Sequence, residues 1–378
     1  MVNRPTDRCP GVFATHEAAD GRLARLRLPG GVLTPARLEA LALAAEELGD
    51  GYIELTGRAN VQVRGIAADD VETFADRMIA AGLAGSRSHD RVRNIVVSPL
   101  TGRLGGTSEL WTVADRLGDV LRASDRAQEL SGRFWFGLDD GRGDVLARTP
   151  DVVGLWSGDD RAELVIADHR TGRTISFDDL ADTLLDVALA FLDLRTDEWR
   201  IADLPADRHR ELHRRFAGIG APGKAAPPAD APVGPRVGWF GQDDGRVLLG
   251  AVTPLHRLSA RQAQFAAAVG APLIVTPDRE LLIADLTEGV AETVVRVLAP
   301  LGLIFDAGSA WTRASACTGA PGCANARTDV RRLLSEHVDR GGDLDGREHW
   351  VACERGCGSP PDALVRVLGA APGDAEVG

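Results

Sequence analysis

The sequence predicts an α+β protein built twice over, its halves related by a pseudo-two-fold axis. Three observations carry that prediction. Thr56, Glu72-Thr73, Gly82-Leu83 and Arg93 recur as Thr276, Glu292-Thr293, Gly302-Leu303 and Arg313, all at one offset of 220 residues. Gly21-Arg22-Leu23 returns as Gly245-Arg246-Val247, and Leu33-Thr-Pro-Ala-Arg37 as Leu258-Ser-Ala-Arg261. A Pro-, Ala- and Gly-rich stretch, 218–236, separates the halves as a linker. A register held over such a span marks a repeated unit. Here the unit is a strand–helix–strand–strand–helix block followed by a loop-bearing segment.

The elements follow in order. Residues 21–28 alternate, with Ala24, Leu26 and Leu28 on one face and Arg25 and Arg27 on the other, which predicts a half-buried strand. Thr34 and Pro35 supply a helix N-cap and first position. Leu38, Leu41, Ala42, Ala45 and Leu48 line one helical face, and Gly49 ends it. Strands at 52–55 and 60–63 flank Thr56-Gly57-Arg58, and a second helix spans about 69–81. Beyond the apolar run Ile95-Val96-Val97 come an amphipathic helix at 110–121 and the segment Arg133-Phe-Trp-Phe136. Short strands at 152–156 and 162–166 precede helices at about 178–194 and 206–216, and a last strand is expected at 363–368.

At 378 residues the chain suits two or three domains. Its 44% hydrophobic and 26% charged residues are those of an ordinary globular protein. No apolar run has the length of a membrane span, and the N-terminus lacks the apolar core of a signal peptide. The expectation is a cytoplasmic protein with reduced thiols and no membrane partner. A net charge of −12 argues against a nucleic-acid surface. Lys224 is the one lysine, and every other basic residue apart from histidine is arginine.

The chemistry gathers near the end of the chain. Cys317-Thr-Gly-Ala-Pro-Gly-Cys323 is followed, after twenty-nine residues, by Cys353-Glu-Arg-Gly-Cys357. These are four of five cysteines, and the glycines around them let the backbone bend and present N–H groups to a bound object. Four converging thiolates suit a soft metal centre. A 4Fe-4S cluster, a structural zinc and two disulfides are the readings. Structural zinc pairs sit two to four residues apart, which the second pair meets and the first, with five, exceeds. Disulfides belong to oxidising compartments, which nothing here marks. The cluster reading is preferred. The fifth thiol, Cys9, is expected to be free. The matching stretch of the first half, 97–103, carries no cysteine, so one half is expected to hold the centre.

The C-x5-C and C-x3-C spacing resembles the cluster motif of the siroheme-dependent sulfite and nitrite reductases. Cys317-Thr-Gly and His349-Trp-Val-Ala-Cys353-Glu-Arg-Gly-Cys357 resemble more closely the precorrin-3B synthase family of the same superfamily. The resemblance implies two ferredoxin-like half-domains, 1–68 and 237–288. It also implies two larger sulfite/nitrite-reductase-like α/β domains, 69–217 and 289–378, the latter bearing the cluster and ending on a short C-terminus, with 218–236 as linker.

Leu55-Thr-Gly-Arg58-Ala-Asn-Val-Gln62 resembles the family stretch that sets an arginine over the tetrapyrrole, and Arg93-Asn94 the family's Arg-Asn. Gly132-Arg133-Phe-Trp-Phe136 resembles the strand that carries two alternate lysines in the reductases. Here those positions are Arg133 and Trp135. Arginine does not give up its proton, so this departure argues against siroheme chemistry and sulfite or nitrite reduction. It agrees with precorrin-3B synthase, which lacks the pair.

Tetrapyrroles of this class are edged with carboxylates, which guanidinium forks bind. Arg58, Arg64, Arg93, Asn94 and Arg133 are the expected substrate contacts; Trp135 is either a stacking residue or core. The reaction implied is oxygen-dependent conversion of precorrin-3A to precorrin-3B, by hydroxylation with lactone formation. Its implied partners are dioxygen and an electron donor. A mononuclear non-haem iron is implied besides; His337-Val-Asp339 has the spacing of two of its ligands, and His349 is placed to support the cluster. The alternatives are a siroheme reductase of altered specificity and a non-catalytic iron–sulfur or zinc binding module.

Overall fold

The structure, a computed structural model, describes residues 7, 9–226 and 235–369. Residues 227–234 of the expected linker lie outside the described residues. The first half opens with β1 (His16–Ala18), β2 (Gly21–Leu26), β3 (Val32–Leu33), α1 (Pro35–Leu48), β4 (Tyr52–Leu55), β5 (Val61–Ile66) and α2 (Val71–Ala80). It continues through β6 (Ile95–Val97), α3 (Glu109–Ala123), β7 (Phe136–Asp139), β8 (Val152–Trp156), β9 (Arg161–Ile166), β10 (His169–Ser176), α4 (Phe177–Leu194), α5 (Ala206–Phe216) and β11 (Ala221–Pro222). The second half holds β12 (Gly238–Gly241), β13 (Val247–Ala251), β14 (Arg257–Ser259), α6 (Ala260–Ala268), β15 (Leu273–Val275), β16 (Leu281–Leu286) and α7 (Glu288–Leu298). It ends with β17 (Ala314–Ala316), α8 (Val330–Asp339), β18 (Glu348–Val351) and β19 (Leu364–Val367).

The duplication is written in the sheets. One five-stranded sheet runs β1-β2-β5-β4-β14 and the other β12-β13-β16-β15-β3. Element for element the orders are the same, and the fifth strand of each is lent by the other half. Leu33 pairs with Leu273, and Leu258 with Ile53. The expected strand at 21–28 stops at Leu26 because the chain turns through Pro29-Gly30-Gly31, with Gly30 at φ 66°, to reach the opposite sheet. Only glycine takes that conformation without cost.

Both sheets bury one face in a single core. It holds Leu38, Leu41 and Ala42 of α1 beside Ala263, Ala266 and Ala267 of α6, and Phe74 and Met78 of α2. Alanine faces let α1 and α6 lie close. Thr34 caps α1 by accepting from the Arg37 N–H, and Ser259 caps α6 with Gln262 returning the bond. Because α2 buries its apolar side here, it packs with the first ferredoxin-like sheet although it lies past residue 68.

A six-stranded sheet, β11-β10-β9-β8-β7-β6, has its own core under α3 and α4. Its strands β6, β7 and β8 are parallel. The second half's counterpart is smaller, the parallel trio β17-β18-β19. The expected last strand is β19. The segment Arg133–Trp135 is a correction: it is a turn and loop leading into β7, not a strand. No helix among the described residues is long and apolar enough to cross a membrane.

Candidate functional site

Both cysteine loops leave the carboxyl ends of adjacent parallel strands, β17 and β18. That is where open α/β sheets collect ligands. The Cys317 N–H donates to Trp350 O at 3.0 Å, and the Ala352 N–H reaches Cys317 Sγ at 3.4 Å. The loops are tied again by Arg327 N–H to Ala352 O at 3.2 Å. Gly319 sits at φ 67° against Val330, where a Cβ would come within 2.9 Å of that side chain. The four sulfurs share one neighbourhood: burial, then Cys353, Cys317 and Cys323, push the Cys357 thiol up. Among the described residues, Asp139/Asp140/Asp144 and His169/His209/His213 have ligand atoms all within 4.8 Å of one another; the cysteines are not such a group. A single zinc at 2.3 Å from each sulfur needs closer thiols than that.

His349 braces the second loop. Its Nε2–H donates to Cys357 O at 3.1 Å, so Nδ1 accepts from Ser315 Oγ–H at 2.8 Å. Burial holds the imidazole neutral, with a pKa lowered to about 4. The pair His337 and Asp339 does not converge: His337 donates to Asp343 O at 2.9 Å and lies 5.1 Å from the Trp350 ring centre, tilted at 49°, while Asp339 is exposed. In the first half, the loop after β7 carries Asp139, Asp140 and Asp144 where the second half carries cysteines. Asp139 there accepts four backbone N–H groups, from Gly141, Gly143, Val145 and Leu146. It is a loop organiser with its oxygens in use.

The two five-stranded sheets differ on the face turned away from the common core. Applying the 220-residue offset, Glu54, Gln62 and Arg64 align with Ile274, Leu282 and Ala284. The strand register sets Arg25 against Gln62 as it sets Gly250 against Leu282. In the second half that face is apolar and closed by Leu100, Leu104, Trp111 and Phe240. In the first half it is polar and faces the cysteine segment. Arg25 donates to Gln62 Oε1 at 2.8 Å, Gln62 to Glu54 Oε2 at 2.6 Å, and Arg331 of α8 to Glu54 Oε1 at 2.6 Å.

The guanidiniums on this face are in excess. Arg27 is 2% exposed and donates to Asn94 Oδ1 and to the Pro10 and Arg25 carbonyls. Burial and Arg25 push its pKa down to about 9. Arg58, in the turn between β4 and β5, donates to Gly132 O at 3.3 Å and lies 5.5 Å from the centre of the Trp135 ring. Burial and Arg200 lower it too. Among the described residues, no carboxylate comes within 4.0 Å of Arg25, Arg27 or Arg58. Arg279 joins this face to the second cysteine loop: its guanidinium donates to Gly358 O and lies 3.7 Å from where a Gly57 Cβ would stand.

The expected contacts divide on this geometry. Arg58 stands among the unpaired cations. Arg64 is 5% exposed and bonds at 2.8 Å to both oxygens of Asp20 and at 2.9 Å to Gly322 O, so it holds the first cysteine loop. Asn94 is bonded inside the fold. It is 1% exposed, donates to the Gly132, Phe134 and Arg91 carbonyls, and accepts from Arg27 and Asn60, which leaves it nothing for a ligand. Arg93 is buried with its Nε unpartnered; Gly85 and Arg122 lie beside it, and the charges of Asp90 and Arg37 act on it. Arg133 is exposed and lies 5.7 Å from the Trp199 ring centre. Trp135 is core, 4% exposed, between Arg58 and Arg200. Cys9 is a half-buried free thiol beside Arg25 and Arg27, raised by burial. The residues not anticipated are Arg25, Arg27, Gln62 and Arg279. The alternation of Arg25 and Arg27 and the 220-residue offset both pointed to the face they share.

Residues 16–81 match the family described as nitrite/sulfite reductase ferredoxin-like half domain. The chain is 25% identical to a ferredoxin–nitrite reductase of Synechococcus elongatus, over 95% of this chain and 78% of that one. It is 25% identical to a precorrin-3B synthase of Sinorhizobium, over 97% of this chain and 81% of that one. The solved NirA protein of Mycobacterium tuberculosis superposes with a TM-score of 0.71 at 20% identity, covering 89% of this chain and 69% of the other. The chain therefore carries the α+β fold of the nitrite and sulfite reductases, with precorrin-3B synthase among its relatives over nearly its whole length.

Proposed function

We propose that the protein converts precorrin-3A to precorrin-3B in an oxygen-dependent monooxygenation, with Cys317, Cys323, Cys353 and Cys357 holding a 4Fe-4S cluster. One observation carries the choice between the two kinds of relative. Where the reductase pattern has paired lysines, this chain has an exposed Arg133 and a buried Trp135. Its one lysine, Lys224, packs against Gly172 in another part of the molecule. No ammonium stands by to hand protons to a small oxyanion.

The donor set fits the cluster: four cysteines on two glycine-rich loops, one sulfur already receiving a backbone N–H. Such a group supplies electrons one at a time. The chain's own residues do the rest. The half-buried Arg25 and Arg58 offer guanidiniums to the carboxylates of the macrocycle, and the buried Arg27 adds its charge behind them. Arg64 and Arg279 fix the cysteine loops to that face, so the donor and the substrate keep one distance. In the overall reaction one oxygen atom enters the ring as hydroxyl and the other leaves as water, with two electrons from an external donor.

The test is an optical spectrum of protein purified without oxygen, with iron and acid-labile sulfide counted on the same sample. Broad cluster absorption without porphyrinoid bands, and a titratable change when precorrin-3A is added, is the expected result. Strong siroheme bands would make the tetrapyrrole a resident cofactor and move the protein to the reductases.

A further inference from the structure

A second group of candidate ligands lies where β10 of the six-stranded sheet meets α5. His169 opens β10, and His209 and His213 stand one turn apart on α5. Their ring centres are 5.4, 5.2 and 4.8 Å apart. One nitrogen from each lies within 4.8 Å of the other two. His213 Nε2 is buried and has no hydrogen-bond partner. A buried imidazole nitrogen with nothing to bond is costly, and a cation between the rings relieves it.

The frame holding them is fixed by one residue. Asp151 O accepts from the Ala167 N–H at 2.7 Å, two residues before His169. The Asp151 carboxylate accepts from the Ile201 N–H at 2.7 Å and from Arg200 Nε at 3.0 Å, at the approach to α5. Hairpin and helix are therefore set relative to each other before any ion arrives. Leu212 and Phe216 bury the other side of α5 in the core. Burial and the two neighbouring rings keep His213 neutral, lowered to about 4.

We propose that His169, His209 and His213 form a binding site for one divalent first-row transition-metal ion, apart from the cysteine loops. Three imidazoles suit zinc, nickel, copper and iron alike. The fourth position is left to water or to the carboxylate of Asp168, whose Oδ1 is 3.5 Å from His169 Nε2. A bound ion would staple the β9–β10 hairpin to α5. The site stands whatever reaction the cysteine loops serve.

Calorimetric titration of the cluster-loaded, chelator-washed protein with Zn2+, without oxygen, tests the assignment. With the cysteines occupied, one further equivalent is expected to bind at micromolar affinity or better. Losing an outer partner of a metal site costs 10- to 100-fold, and losing a ligand no less, so His169→Ala and His213→Ala should each weaken binding at least about tenfold. His169 is exposed, so its variant keeps the fold and decides the matter if His213→Ala does not fold. No further equivalent bound, or uptake unchanged in His169→Ala, would overturn the proposal.

Discussion

Arg64 Nη2 donates to the Gly322 carbonyl at 2.9 Å, joining β5 of the first half to the residue just before Cys323 of the second. The two are 258 positions apart in the chain. The same guanidinium grips Asp20 in bidentate fashion. A repeat that carries alanine at the equivalent position, Ala284, has no such tether. The duplicated sheet has thus become a mount for the first cysteine loop in one half and an apolar seal in the other.

Removing the tether should loosen the metal loop. Breaking a fully buried ion pair costs about 3–5 kcal/mol; the Asp20 side chain is 26% exposed, so about 2–3 kcal/mol is expected for Arg64→Ala. Iron and sulfide per chain should fall with it. Wild-type cluster content together with a wild-type melting temperature would show that Gly322 is held by something else.

Substrate affinity should separate Arg58 from Arg133. A charge-assisted hydrogen bond contributes about 1.5–3 kcal/mol, so Arg58→Ala should raise KM for precorrin-3A by about 10- to 100-fold. Its cluster spectrum should be unchanged. Arg133→Ala, at an exposed position on Trp199, should change KM less than about threefold. Equal effects of the two would place the substrate at the Trp199 end.

Cys357→Ser should remove cluster absorption and turnover together. His349→Ala, which frees the Cys357 carbonyl, should keep the four ligands but shorten the life of the cluster in air. A cluster as durable in that variant as in the parent would reduce His349 to a packing residue.

Two buried acids, Glu280 of the second half and Asp144 of the first, set a pH dependence. Glu280 is pushed up to about 8 by burial and by Asp278, and Asp144 to about 6 by burial. Arg236 touches both. A carboxyl whose folded pKa exceeds its unfolded one binds its proton more tightly when folded. Its contribution is full below the unfolded pKa of about 4 and is lost as pH rises through the folded value. For this pair the loss runs from about pH 4 to pH 8. Glu280→Gln keeps an oxygen to accept from the Thr276 hydroxyl and should flatten the decline between pH 6 and 8 in denaturant titrations. An unchanged slope would mean that Glu280 is ionised in the folded protein at neutral pH.

Much of this was legible in the sequence, and the rest was hidden for physical reasons. The register of 220 residues showed the duplication because turn glycines and helix-start threonines are fixed by backbone geometry. The strand exchange was not visible, since β3 and β14 are too short to carry a pattern. Arg93 and Asn94 look alike in sequence, yet one is fully bonded and the other is not. Adjacent side chains diverge, and only the fold says which faces what. Arg64 reads as a ligand contact because arginine on a strand face says nothing of a partner 258 residues away. That the two cysteine loops adjoin was readable because two close pairs on glycine-rich loops leave the chain few other uses.

The most direct test of the account is single-turnover reaction of the reduced, cluster-loaded protein with precorrin-3A and isotopically heavy dioxygen. The account predicts a product carrying one heavy oxygen atom, no reaction under nitrogen, and no turnover by Cys357→Ser. Unaltered precorrin-3A in the presence of oxygen and reductant, with nitrite or sulfite consumed instead, would contradict it.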